Sequence, residues 1–158
     1  MHDAAYWIDH LNLQSHPEGG WFAETYRCGE VVSTGRGERN ACTAIYFLLK
    51  GEDVSKFHRI KSDELWHFYQ GSSLRIHILD KGGHRSVDLG PDPAEGQCFQ
   101  ALVPKDAWFG AELLSGDGFA LVGCTVSPGF DFSDFEMAER GRLQKEWAQE
   151  KILIERLT

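Results

Sequence analysis

At 158 residues with 42% hydrophobic content, the chain is about the size of one domain and holds enough apolar mass for one core, which argues against two. A formal net charge of −8 opposes general nucleic-acid binding, because neutralising phosphates needs a basic face. No apolar run approaches the ~20 residues that span a bilayer, and the start from Met1 to Trp7 lacks the basic-then-apolar order of a signal peptide. A cytoplasmic protein without a membrane or nucleic-acid partner is expected.

Ala4 to Leu13 carries Tyr6, Trp7, Leu11 and Leu13 at spacings that suit a short helix lying on the fold. His16-Pro17-Glu18-Gly19-Gly20 breaks it, since proline fixes φ and paired glycines favour a turn. From there the signal is strand and turn. Strands are expected over Trp21 to Arg27, Thr43 to Leu49, Lys56 to Ile60, Glu64 to Tyr69, Ser73 to Leu79, Ser86 to Leu89, Cys98 to Val103 and Phe119 to Val126. Eight short strands without an intervening helix predict an all-β antiparallel barrel or double-sheet jelly roll, not an α/β fold. Helix returns near the C-terminus, where Ser133 and Glu136 read as a capping box and Leu143, Trp147 and Ile154 share one helical face. Residues 151–158 either continue that helix or add an edge strand. The basic cluster Arg140, Arg142 and Lys145 is interrupted by acids and reads as a solvated face. Cys28, Cys42, Cys98 and Cys124 contain no C-x-x-C pair, so they read as buried free thiols, with neither a zinc ribbon nor a redox site.

Gly51 to Gly71 holds Glu64, then six residues, then a closing glycine; His58 stands between Phe57 and Arg59 where a histidine pair would be. This segment resembles the first cupin motif in its glutamate half only. Gly96 to Phe109 keeps Gly96 and Pro104 of the second motif, but Asp106 replaces its turn glycine and Trp108 and Phe109 stand at its histidine. Longer phrases, His16 to Arg27, Ser62 to Tyr69, Val103-Pro104 with Trp108, and Val126 to Phe132, resemble a subfamily of small single-domain cupins of unknown function with yeast and bacterial members. The resemblance implies a double-stranded β-helix over one domain, residues 1–158 with a barrel core of about 20–127. It also implies short terminal helices, a homodimer and a pocket inside the barrel; sugar epimerases of similar fold supply a functional analogy.

Alternation places side chains two apart on one face. If Glu64 points inward, Trp66 and Phe68 follow, while Leu65, His67 and Tyr69 face out, which makes His67 a packing or dimer-contact residue. Phe22, Glu24 and Tyr26 share one face of their strand, and Trp21, Thr25 and Arg27 the other. Either face brings a charge inward that needs a partner or a polar ligand.

Three readings follow. In the first, an isomerase or epimerase acts on a small polar metabolite, such as a sugar or sugar-nucleotide derivative, by proton abstraction and return. His58 is then the base, Glu64 its orienting carboxylate and Tyr26 or Tyr69 the acid. Glu24, Trp66, Gln100, Trp108 and Phe130 are the ligand contacts, the aromatic rings forming walls. In the second, a divalent transition metal serves an oxygenase or isomerase. His58 and Glu64 supply two ligands at most and Gln100 a weak third, so no stoichiometric metal is expected. In the third, the barrel binds or senses a small molecule without catalysis.

Overall fold

The strand-forming middle of the chain does pair as strands in the computed structural model, which describes residues 2–158. A seven-residue helix α1 (Ala4–His10) leads in, its first turn capped by the Asp3 carboxylate accepting from the Tyr6 N–H. The strands are β1 (Gln14–Ser15), β2 (Trp21–Arg27), β3 (Val31–Thr34), β4 (Gly37–Asn40), β5 (Thr43–Lys50), β6 (Val54–Arg59), β7 (Asp63–Gly71), β8 (Leu74–Asp80), β9 (Gly83–Leu89), β10 (Gln100–Val103), β11 (Trp108–Leu113), β12 (Phe119–Ser127) and β13 (Glu136–Met137). Helices α2 (Arg140–Glu146) and α3 (Lys151–Arg156) end the chain.

Two sheets face each other, in the orders β1-β2-β5-β12-β7-β10 and β13-β6-β11-β8-β9, and β3 and β4 form a separate hairpin. The inward side chains of both sheets meet in one core, with Phe47 and Trp66 from the six-stranded sheet against Ile76, Ile78 and Phe109 from the five-stranded one. At about 1.5–3 kcal/mol for each large apolar side chain taken from water, this double layer dominates the favourable side of folding. Each outer face is partly covered by helix. Trp7, Ile8 and Leu11, in and just after α1, pack on Leu48 and Leu121, while Leu143, Leu153, Ile154 and Leu157 from the C-terminal helices cover Phe57, Leu79 and Trp108.

The structure departs from the sequence reading in several places. The two-residue strands β1 and β13, the β3–β4 hairpin and strand β11 were not expected. Trp108 to Leu113 contains Gly110, which weakens the strand signal, but any Cβ there would crowd the Ser55 carbonyl, so the close approach of β6 requires that glycine. The expected capping box does not form either. Asp131 caps a short 3-10 turn at Phe132–Asp134, and Glu139 caps α2 by accepting from the N–H groups of Gly141 and Arg142. The last residues are helical, as one of the two alternatives allowed.

Candidate functional site

The turn His16 to Gly20 shapes the site. Its backbone closes on itself (Gly19 N–H to the His16 carbonyl, His16 N–H to the Gly20 carbonyl, both 3.0 Å) and then docks on β6, where the Lys56 N–H donates to the Glu18 carbonyl at 2.8 Å. Gly19 has φ +106°, and a Cβ there would collide with the Val54 carbonyl, so only glycine allows this approach. The result is that Glu18 enters the barrel with almost no exposure.

The Ser55 hydroxyl donates to Glu18 Oε1 at 2.8 Å, and His58 Nε2 lies 2.9 Å from Glu18 Oε2. On the other side of the ring, His58 Nδ1 donates to the Lys56 carbonyl at 2.7 Å. Acceptors at both nitrogens fit an imidazolium. Burial opposes charge on both groups, but their attraction outweighs it: His58 is held above its ordinary pKa and Glu18 below. The ring itself is packed between Phe109 and Phe135. His16 takes the opposite state. Burial depresses its pKa, and its Nδ1 accepts the Glu18 N–H at 3.3 Å, so it is the neutral tautomer protonated at Nε2. The 3.4 Å contact between His16 Nδ1 and the Glu18 carboxylate is therefore not an ion pair.

Glu64, on β7 opposite Val126 of β12, lines the same space. Burial, reinforced by the Glu18 charge, pushes its pKa up to about 7, although His58, the Cys124 thiol and the Trp66 indole pull the other way. The Trp66 N–H nevertheless makes no full hydrogen bond. Cys124 stays a thiol, because burial first and Glu64 second raise its pKa well above the usual value. Around these groups is a cavity of about 340 Å³, with Phe22, Phe47, Phe130, Phe132 and Phe135 among its walls.

The sequence-expected site residues divide cleanly. His58, Glu64, Glu24 and Phe130 line the cavity, and Trp66 lies in the core on the same face of β7 as Glu64. The partner assigned to His58 needs correction, because its contact is with Glu18 and Glu64 acts on it only through space. Tyr26 also needs correction. The β2–β5 register shifts between Glu24 and Tyr26, so Thr25 is a bulge; this turns Tyr26 outward, half-exposed, and brings Arg27 inward with Glu24. Arg27 grips Glu24 with two hydrogen bonds, 2.9 and 2.7 Å, and donates to Asn40 Oδ1 and the Phe130 carbonyl, which supplies the partner a rim charge requires. Gln100 is exposed on the outer face, where its amide nitrogen bonds His67 Nδ1 at 3.0 Å. His67 Nε2 in turn reaches Thr125 Oγ1, so His67 packs the outer face as expected. Trp108 faces the C-terminal helices and carries the Arg59 guanidinium 4.4 Å above its ring. Tyr69 is exposed on the outside as well. His16, Glu18, Phe132 and Phe135 went unassigned in the sequence, although His16, Glu18 and Phe132 lie within the phrases that carry the cupin resemblance.

The donors around the cavity do not fit a bound transition metal. The Nε2 of His58 is taken by Glu18, its Nδ1 by a carbonyl, and the Nδ1 of His16 by a backbone N–H, so no two imidazoles present free lone pairs to Glu64. Among the described residues no three His, Cys, Asp or Glu side chains converge as a metal-binding group. Among the described residues no helix is long and apolar enough to cross a membrane.

Comparison with known proteins agrees with this architecture. The family model described as Cupin superfamily (DUF985) matches residues 5–138. A yeast relative from Saccharomyces cerevisiae, the uncharacterized protein YML079W, is 30% identical over 80% of this chain and 71% of its own length. The crystal structure of protein SO0799 from Shewanella oneidensis superposes with a TM-score of 0.93 at 40% identity, covering 100% of this chain and 98% of that one. A hypothetical protein from Leishmania major gives the same TM-score at 34% identity over 99% of both chains. Oxalate decarboxylase from Bacillus subtilis shares the fold alone, with a TM-score of 0.58 and 17% identity over 91% of this chain and 37% of the enzyme. With a family model matched over most of its length, and an inward glutamate on β7 facing a cavity between two jelly-roll sheets, the chain belongs to the cupin superfamily, in the family DUF985.

Proposed function

We propose that the chain binds a small polar metabolite, such as a sugar derivative, inside its barrel and moves a proton on it through Glu64, as an isomerase or epimerase. The observation that carries this reading is the Glu64 carboxyl, buried against the cavity and poised to titrate at about 7, where it accepts and returns a proton with equal ease. His58, cationic but paired with Glu18 and with both N–H groups engaged, contributes an ion-pair dipole and not a hydrogen bond towards the oxyanion that forms when a proton leaves carbon beside a carbonyl. Neutral His16 adds a ring N–H, and the phenylalanine walls suit the apolar face of a sugar ring.

Deuterium uptake tests this even while the substrate is unidentified. The purified chain is incubated with a metabolite extract in D₂O, and retained compounds are read by mass spectrometry. One retained compound should gain carbon-bound deuterium only when the protein is present, and Glu64→Gln should slow that uptake by roughly 10²–10⁴-fold while retention persists. Retention without deuterium would reduce the protein to a binding barrel, and unchanged uptake in the variant would remove Glu64 from the chemistry.

The partner in this reading is a second copy of the chain. Tyr26, Tyr69, Phe99 and Leu102 are each about half-exposed on or beside the six-stranded sheet, whose edge strand β10 is unpaired on one side. Sedimentation at tens of micromolar should show a species of twice the 17.8 kDa chain mass, and Leu102→Glu should shift it towards monomer. A monomer at all concentrations would end the dimer proposal.

A further inference from the structure

A second group of titratable side chains lies on the opposite face of the five-stranded sheet, away from the cavity. His77 of β8 and His84 of β9 are diagonal neighbours, since His77 pairs with Ser86, two residues beyond His84 on the same face of its strand. His77 Nδ1 and His84 Nε2 are 3.2 Å apart and aimed at each other. Each ring has a carboxylate at its far nitrogen. Glu112 Oε1 is 3.1 Å from His77 Nε2, and Glu150 Oε2 is 3.2 Å from His84 Nδ1.

These carboxylates decide where the ring protons sit. Glu112 also receives Arg156 Nη2 at 2.7 Å, so it is ionised and accepts from His77. A carboxylate beside His84 Nδ1 holds the proton there in the same way. Both facing nitrogens are then left with lone pairs, and two lone pairs at 3.2 Å repel unless a cation lies between them. In a tetrahedral zinc site, nitrogens ~2.0–2.1 Å from the metal stand roughly 3.3–3.4 Å from each other. The observed spacing is close to that value before any ion binds. A carboxylate on the far nitrogen of each ligating histidine is also the usual outer support of such sites.

We propose that His77 Nδ1 and His84 Nε2 form a two-histidine site for a divalent transition-metal ion of the Zn²⁺ type, with water completing its coordination. Two protein donors are fewer than a structural zinc site uses, so the ion is exchangeable. The site opens to solvent through a recess lined by His84, Gln149, Glu150, Lys151 and Arg156. Glu112 and Glu150 balance the ion's charge, while Arg156 and Lys151 limit its affinity. The ion would bridge β8 and β9 beneath the segment that carries Glu150 and α3, tying the C-terminal turns to the sheet.

The test is titration calorimetry of the full chain with Zn²⁺ at about pH 7.5, where neutral histidine is the ligand form, comparing the parent with His84→Asn. His84 is partly exposed, so this variant should retain the fold, as circular dichroism can check. One saturable class of sites should weaken at least tenfold in the variant. Zinc bound elsewhere on the chain is the same in both proteins and cancels in the difference. Should the variant misfold, nitrogen NMR of the unaltered chain gives the answer instead, since the ring resonances of His77 and His84 should shift together with added Zn²⁺. Superimposable isotherms, or ring resonances unmoved by Zn²⁺, would overturn the proposal and leave a shared proton as the only occupant.

Discussion

His58→Phe should lower stability at pH 7 by about 3–5 kcal/mol, because it removes the partner of an almost fully buried carboxylate. Glu18 would then either stay ionised and uncompensated or take up a proton it does not hold in the unfolded chain, where its pKa is 4.5. The second course costs about 1.4 kcal/mol for each pH unit above that value, or roughly 3 kcal/mol at pH 7. The loss should therefore shrink as pH falls towards 4.5, which a merely steric defect would not do. Adding Glu18→Gln should restore most of the stability, since the amide needs no counter-ion and still accepts from Ser55. Urea denaturation of both single variants and the double variant closes the cycle. A loss below about 1 kcal/mol at pH 7, or no recovery in the double variant, would show that the pair is not the buried ion pair described.

Glu64→Gln should make the protein more stable at pH 8 than its parent, by about 3 kcal/mol for a carboxyl moved from 4.5 to about 7. Between those two values the folded parent holds a proton that the unfolded chain has released, so its stability falls as pH rises and levels off above 7. The glutamine variant has nothing to titrate there. The gap between the two proteins should be small at pH 4.5, open through pH 7 and then stay constant, as thermal or urea melts across pH can follow. A gap independent of pH would mean that Glu64 is ordinary. The substitution proposed to stop proton transfer should thus stabilise the barrel, the trade expected where a carboxyl is kept in a costly place for function.

Period-two alternation located Glu64 and Trp66 correctly because β7 runs without a break from Asp63 to Trp66, and it rightly put His67 and Tyr69 outside. It failed for Tyr26, since one bulged residue at Thr25 inverts every later position of β2 and no residue type announces it. Gln100 was misplaced for a different reason. Its strand signal was sound, but the face it shows depends on register with β7, where Gln100 meets outward His67 and Ala101 meets inward Trp66. Trp108 followed from treating Trp108-Phe109 as the end of a motif, not the start of β11, in which Phe109 faces in and Trp108 faces the helices. Glu18 carried no periodic signal at all. It stands in a turn, and its burial comes from Gly19 and Gly20 letting that turn press on β5 and β6. The only trace in the sequence was the phrase His16-Pro17-Glu18-Gly19-Gly20 itself.

The Glu24–Arg27 pair at the rim bears on how fast a molecule can enter. Arg27 is the only arginine or lysine lining the cavity among the described residues, and hydrogen bonds to Glu24, Asn40 and the Phe130 carbonyl already occupy it. The cavity lining therefore offers no unengaged arginine or lysine to offset a chain that carries −8 overall. An uncharged molecule diffuses in at a rate indifferent to ionic strength. An anion is slowed by the protein's own field and is admitted faster as salt shortens the reach of that field. A phosphorylated compound should therefore enter more slowly than its uncharged counterpart at low salt, a difference that added salt should shrink.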